Sequence, residues 1–184
     1  RAGLKYFIVT HTATACLIAG AIIVYSHGWQ SFNFEALRMG IETIAVQSPA
    51  LLHVTLGLFF IGFATKAGIF PLGDWLPDAY PAAPAPASAA FAGTMTKLGI
   101  YGIIRVFCEA LPVSDPCHVW GIVLATFGAL SIALGTLTAL VQDDSKRLLS
   151  FLHIGQVGYI LLAIGLAVYF RPISAALSVA ALVA

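Results

Sequence analysis

Charge is what this sequence has least of. Nine lysines and arginines and eight aspartates and glutamates serve 184 residues, so 9% of the chain is charged. A water-soluble domain carries about 25%. With 60% hydrophobic residues and a mean hydropathy of +0.95, the chain has too little polar surface to cover itself and is expected in a membrane. The net charge of +1 leaves no basic footprint for nucleic acid. Cysteine is scarce too. Cys16, Cys108 and Cys117 show no C-x-x-C spacing, which predicts no disulfide; Cys16 and Cys108 read as small apolar side chains. Cys117 beside His118 supplies too few ligands for a metal. Rossmann glycines, a cysteine quartet and a haem motif are all missing, so no cofactor, metal, redox centre or catalytic residue is expected. A signal peptide and an initiating methionine are also missing. The chain starts Arg1-Ala2-Gly3-Leu4-Lys5 and ends inside the apolar run Ser174 to Ala184, which even from Pro172 falls short of the roughly 20 residues a spanning helix needs. These features predict one transmembrane domain over 1–184, an internal piece of a longer chain, with about five full spans and the start of a sixth.

What is present centres on residues 65–77, Thr-Lys-Ala-Gly-Ile-Phe-Pro-Leu-Gly-Asp-Trp-Leu-Pro. The stretch opens as apolar helix, places Lys66 in it, and puts a proline five residues on. Pro71 cannot donate to the carbonyl of Ala67 and its ring opposes a continuous helix; Gly68 and Gly73 loosen the same turn. Broken backbone at membrane depth is tolerated only where protein or a water-filled cavity surrounds it. With an intramembrane cation beside it, that pattern predicts an ion pathway.

Taken in order, span one covers roughly Tyr6 to Tyr25. An interfacial turn follows from Ser31 to Arg38, with Phe32, Phe34 and Leu37 on one side, Glu35 and Arg38 on the other, and Ser31 or Asn33 as N-cap. Span two runs from about Pro49 to Phe70. An amphipathic half-helix, Phe70 to Tyr80, continues it; there Asp74 and Asp78 with Trp75 read as a capped, interface-anchored unit rather than a metal site. Pro81-Ala82-Ala83-Pro84-Ala85-Pro86 reads as an extended linker. Span three covers roughly Ala87 to Ala110, a turn takes Leu111 to Cys117, span four about His118 to Val141, a charged turn Gln142 to Arg147, and span five about Leu148 to Phe170. Alternation puts Arg1, Lys5, Lys146 and Arg147 on one side and Arg38, Arg105 and Arg171 on the other. This weak positive-inside bias assigns the first group to the cytoplasm or its matrix equivalent.

Lys66 and Lys97 are the charges well inside apolar spans. An ammonium at the bilayer centre costs at least ~2.5 kcal/mol on insertion scales. Lys66 stands about 17 residues into its span and Lys97 about 10, or roughly 25 and 15 Å at the helical rise. Snorkelling to the interface is the alternative for both, harder for Lys97 at mid-span. Lysine suits relay work because burial lowers its pKa and lets it release its proton. His53, near a span start, reads first as an interfacial anchor and second as a proton-path residue. His153, flanked by Gly155, Gln156 and Gly158, fits relay and packing about equally. Glu109 follows Arg105 by four and reads as a local helix pair.

Several motifs together resemble a known family. Thr65-Lys66-Ala67-Gly68, Phe70-Pro71-Leu72, Trp75-Leu76-Pro77-Asp78-Ala79 and Ala83-Pro84 look like the signature of the proton-conducting antiporter-like membrane subunits. So do Gly93-Thr94-Met95-Thr96-Lys97-Leu98-Gly99-Ile100-Tyr101-Gly102 with Arg105, and the segments Asp144-Ser145-Lys146-Arg147-Leu148-Leu149-Ser150 and Gln156-Val157-Gly158-Tyr159. The family includes large subunits of NADH:quinone oxidoreductase (complex I), of Mrp-type Na+/H+ antiporters and of membrane-bound hydrogenases, and the likeness covers nearly the whole chain. It implies an all-α, polytopic membrane helix bundle with a discontinuous transmembrane helix, built from inverted repeats. On that map the break at Gly68, Pro71 and Gly73 is the discontinuous seventh helix. Lys66 is the proton-channel lysine and Lys97 the next lysine along, with His153 added from the residues themselves. The family's partner glutamate falls on a helix before Arg1 and its second-half lysine on one after Ala184. Phe91 stands in the region where one branch has a histidine.

The resemblance implies a proton-translocating, non-redox subunit of a redox-driven complex of the NADH:quinone oxidoreductase or membrane-bound hydrogenase type. Its partners would be other membrane subunits, the lipid bilayer and protons, or Na+, in a prokaryotic cell membrane or an energy-transducing organelle membrane. The alternative is an Mrp-type Na+/H+ antiporter subunit. A non-transporting helix bundle has little reason to carry two mid-span lysines.

Overall fold

The computed structural model describes residues 2–28, 30–31, 33–113, 115–173, 179–181 and 183. Arg1, Phe32 and part of the run from Ser174 to Ala184 lie outside those residues. The described residues hold helices and no strand: α1 (Ala2–His27), α2 (Phe34–Gln47), α3 (Pro49–Ala67), α4 (Leu76–Ala82), α5 (Ala85–Ala90), α6 (Thr96–Ile103), α7 (Asp115–Ala139) and α8 (Ser145–Phe170). Two stretches with wider, π-type turns, Phe91–Met95 and Ile104–Ala110, flank α6 and make one helical run of 85–110. Among the described residues four helices are long and apolar enough to cross a membrane: Ala2–His27, Pro49–Ala67, Pro116–Ala139 and Ser145–Phe170. The run 85–110 has a similar length, about 39 Å if fully α-helical.

Local chemistry explains most boundaries. The side chain of Asn33 accepts from the Ala36 N–H at 2.7 Å and caps α2. That helix runs on to Gln47, well past the interfacial turn expected to end at Arg38. Ser48 accepts from Leu51 N–H and Pro49 sits in the first turn of α3, where a missing donor costs nothing. Asp144 accepts from the N–H groups of Lys146 and Arg147, so α8 starts at Ser145, three residues before the expected span.

Other boundaries differ from the sequence reading. The prolines of 81–86 do not make a single extended linker. Pro81 lies inside α4 and Pro86 in the first turn of α5, leaving Ala83 (φ −88°, ψ 151°) and Pro84 (φ −57°, ψ 145°) extended. One missing donor in a seven-residue helix is a small loss when packing holds the helix in place. Trp75 is not an interfacial anchor: it is 1% exposed and starts α4 without a side-chain cap bond.

α7 packs along the length of α8, and the reason is backbone proximity. A Cβ on Gly128 would lie 2.6 Å from Leu162 N, one on Gly135 2.7 Å from Gly155 N, and one on Gly165 2.4 Å from Ala125 N. Glycines at such contacts let two apolar helices share a seam without a hydrophobic driving force. The main core gathers Leu56, Phe60, Ile103, Phe107, Trp120, Leu124 and Leu161 between α3, the 85–110 run, α7 and α8. A second cluster of Trp75, Leu76, Tyr80 and Ile154 seats α4 against α8.

Several charged residues outside the apolar spans gather near the two ends of α8. Lys5 Nζ contacts Asp74 Oδ2 at 2.7 Å and Asp78 Oδ2 at 2.8 Å, and donates to the Asp74 carbonyl at 2.8 Å. Arg147 stands 3.9 Å from Asp78, and Lys146 donates to the Ala83 carbonyl at 3.0 Å. Arg38, Arg105 and Arg171 line one cavity at the other end, where Arg171 donates to the Leu111 carbonyl. The ion pairs of Lys5 are partly solvated, with side chains 36%, 72% and 39% exposed for Lys5, Asp74 and Asp78. Lys5→Ala is therefore expected to lower stability by about 1 kcal/mol or less. The loss should shrink in high salt. Thermal unfolding at two ionic strengths checks this, and an equal loss at both would assign Lys5 a packing role.

Candidate functional site: a lysine at a broken membrane helix

α3 ends before Pro71 is reached. Gly68 adopts φ 82°, ψ 33°, the left-handed conformation that glycine takes without a Cβ penalty. Its N–H donates to Ala64 O at 3.0 Å and Thr65 O at 3.3 Å, and Ile69 N–H donates to Ala64 O at 3.0 Å. This is a Schellman-type stop, so Gly68 terminates the helix and Pro71 lies within the non-helical link that follows. The link stays compact: Gly73 N–H donates to Ile69 O at 2.7 Å and Leu76 N–H to Gly73 O at 3.0 Å. A Cβ on Gly73 would come within 2.3 Å of the Gly68 carbonyl oxygen, so the turn closes only around glycine.

The surrounding protein satisfies groups freed by the break. Trp75 Nε1–H donates to the Thr65 carbonyl at 2.9 Å, and the Phe70 N–H donates to Ser131 Oγ at 3.0 Å. Trp75 lies ten residues on from Thr65 and Ser131 stands on α7, so protein groups supply the partners that broken backbone inside a membrane requires. Lys66 occupies the last turn of α3, where the negative end of the helix dipole and its final carbonyls favour a cation. Its side chain is half-buried and lines an apolar cavity of about 310 Å³ with Phe59, Phe63, Leu98 and Tyr101.

Lys97 is placed differently. It lies on α6 and is exposed in this chain. The α6 face that meets α3 carries Gly99 and Gly102, whose added Cβ atoms would lie 2.6 Å from Ala67 N and 2.2 Å from the Phe63 ring. Lys97 stands two positions, about 200°, from Gly99. Lys66 and Lys97 therefore sit on neighbouring helices without sharing the α3–α6 seam. π-type turns flank α6 on both sides, and such turns cluster at functional sites.

His153 on α8 is half-buried, lies within electrostatic reach of Lys97, and lines a separate cavity with Tyr80 and Gln156. His53 stacks on Trp120, whose Nε1–H donates to His53 Nδ1 at 3.2 Å; it joins α3 to α7. Arg105 pairs with Glu109 on its own helix and lies over the Phe34 ring at 4.1 Å. Among the described residues no group of three His, Cys, Asp or Glu is placed to hold a metal. Sequence reasoning missed Tyr80, Ser131 and the pairing of Lys5 with Asp74 and Asp78. The offsets of 61 residues for Phe70–Ser131 and 69 for Lys5–Asp74 carry no local signal.

With the geometry in hand, comparison with known proteins is specific. Residues 1–181 match the family described as NADH:quinone oxidoreductase/Mrp antiporter, transmembrane. Hydrogenase-4 component B of Escherichia coli (strain K12) is 42% identical over 166 residues, which is 90% of this chain and 24% of that protein. A Na(+)/H(+) antiporter subunit of Alkalihalophilus pseudofirmus is 35% identical over 167 residues, 90% of this chain and 33% of that protein. In solved structures, the archaeal membrane-bound sulfane sulfur reductase contains a similar chain, with a TM-score of 0.79 and 28% identity, covering 93% of this chain and 36% of that one. Respiratory complex I from Thermus thermophilus contains another, with a TM-score of 0.67 and 27% identity, covering 98% of this chain and 39% of that one. The chain thus spans 24% and 33% of the length of the two curated relatives. It belongs to the NADH:quinone oxidoreductase/Mrp antiporter family of integral membrane proteins.

Proposed function

We propose that this chain is part of a proton-translocating membrane subunit of a redox-driven complex, of the NADH:quinone oxidoreductase or membrane-bound hydrogenase type. Protons would pass through Lys66, Lys97 and His153, and the chain would hold no redox centre. The observation that carries this reading is Lys66 in the last turn of a membrane helix that stops at a left-handed glycine. That position supplies a cation-stabilising helix end beside an apolar cavity, where a lysine would hold a proton that the rest of the pathway delivers and removes. The names of relatives support the complex type: a hydrogenase component at 42% identity and a complex I structure. A second reading, in which the parent protein is a Mrp-type Na+/H+ antiporter, draws on the antiporter relative at 35% identity. Other membrane subunits are the expected partners under both.

Purifying the parent complex through a tag on this subunit separates them. Iron–sulfur subunits of NADH dehydrogenase or hydrogenase type are the expected companions. Small iron-free membrane subunits, with Na+-dependent proton movement in vesicles, would replace the first reading with the second.

A further inference from the structure

Tyr80 and His153 stand out as polar groups that the fold buries and leaves unpaired. Tyr80 Oη and His153 Nε2 are both buried without a hydrogen-bond partner among the described residues. Such groups are rare in folded proteins, and each calls for a physical reason. The two are complementary, since a phenol O–H donates and an imidazole nitrogen accepts. Their ring centroids are 6.2 Å apart at 51°, so the two rings are neighbours, and bridging water is a common way for such groups to be joined.

The surroundings supply room for both. The two residues line one cavity of about 410 Å³ between α4, α5 and α8. Its α5 wall is made of small side chains, Ala85, Ser88 and Ala89, and its remaining polar lining is Gln156 and Lys146. Ala92, Leu149 and Leu152 complete a largely apolar lining, in which the polar groups give sites that water can occupy. Ser88 Oγ–H donates to the Tyr80 carbonyl at 2.9 Å and holds α5 against α4, which fixes the tyrosine at the cavity wall. On the α8 wall Lys146, whose ammonium reaches the Ala83 carbonyl, lies near the start of the helix, His153 about two turns further on, and Gln156 beyond it.

We propose that this cavity is a proton-access chamber and that Tyr80 Oη relays protons between its water and His153 Nε2. The proposal rests on the proton-translocation reading above and adds a residue and a route to it. When side-chain motion opens Oη to the chamber, a hydronium there gives a proton to a lone pair of Oη as the hydroxyl proton leaves for Nε2 of neutral, Nδ1–H histidine. The water and the tyrosine end neutral, the histidine becomes imidazolium, and it is neutral again when it passes a proton to the next water or amine of the pathway. Only O–H and N–H bonds form and break, and one positive charge moves.

The test uses the full-length subunit in its parent complex, reconstituted in vesicles, with proton uptake and thermal midpoint measured together. Tyr80→Phe removes one oxygen that has no partner among the described residues, so assembly and midpoint should be unchanged. Proton uptake should fall at least ~10-fold, since a positioned acid–base group contributes about 10²–10⁴. Tyr159→Phe, on an exposed face of α8, is the control and should leave uptake at the wild-type rate. Water density in the chamber of the wild-type complex, at hydrogen-bond distance from Oη or Nε2, is expected as well. Uptake by Tyr80→Phe within about twofold of wild type overturns the relay, because that is far below any acid–base contribution. A chamber without water overturns it too. Lys66→Ala separates the two levels. If it abolishes uptake and Tyr80→Phe does not, the relay alone fails; if Lys66→Ala pumps normally, the transport reading fails and the relay with it.

Discussion

Lys66→Ala is expected to abolish most proton transport while the complex assembles normally. The side chain occupies the last turn of α3, and the helix ends two residues later at Gly68. Alanine is the best helix former, so α3 should keep its length. The structural loss is the cation at the helix end, about 0.3–1 kcal/mol. The functional loss is expected to be much larger, because among the described residues lining this cavity Lys66 is the amine beside the break; Tyr101 and Arg105 remain, but neither places an amine at the helix end. A decline of at least ~10-fold in proton uptake is expected, at the low end of the effect of a positioned acid–base group. Lys66→Arg should fail as well. Arginine preserves the charge at the helix end but stays protonated, so it cannot cycle. Uptake by vesicles, normalised to the amount of parent complex, is the measurement. Near-normal uptake by Lys66→Ala removes the residue from the pathway. Normal uptake by Lys66→Arg would show that a fixed charge suffices, which makes the site electrostatic rather than proton-binding.

The second large effect concerns the seam between the two lysine-bearing helices. Gly99→Val should destabilise the protein by about 3 kcal/mol, the upper range for overpacking a tight contact. A Cβ there would lie 2.6 Å from Ala67 N, 2.8 Å from Phe63 O and 2.9 Å from Ala67 Cα. These are backbone atoms, so no rotamer change relieves the clash and α6 has to move off α3. Ala67 is the last residue of α3, directly after Lys66, so the displacement also reaches the break. Lower abundance in the membrane, a lower thermal midpoint and lost transport are expected together. Gly93→Ala is the control. A Cβ on Gly93 meets nothing within 4 Å, and the change should be neutral or slightly stabilising. Equal stability of Gly99→Val and wild type would mean that the helices are further apart than the structure has them.

Residues 65–77 show how far the sequence reaches. Low charge and long apolar runs specify membrane helices without any partner, because a backbone in lipid satisfies its own hydrogen bonds only by coiling. A lysine followed by Gly68 specifies a helix end with a cation on it, since the left-handed stop depends on one residue lacking a Cβ. Asn33, Ser48 and Asp144 work the same way, within three residues of the groups they cap. All of these are local interactions, and local interactions are written in spacing. Even here neighbouring signals compete: Pro71 looked like the breaker, and the turn had already closed at Gly68.

Tertiary structure decided which side chains meet. Trp75 is buried against the freed Thr65 carbonyl instead of lying at an interface, and Asp74 and Asp78 face Lys5, 69 and 73 residues away. The α3–α6 contact runs through Gly99 and Gly102 and leaves Lys97 off that seam, and the approach of α4 to α8 brings Tyr80 to His153. None of this follows from periodicity. In an apolar chain most helix faces are equally greasy, so the sequence determines that helices form and where they stop. Which faces touch is set by glycines that admit a neighbouring backbone, and each of those contacts depends on two distant segments at once.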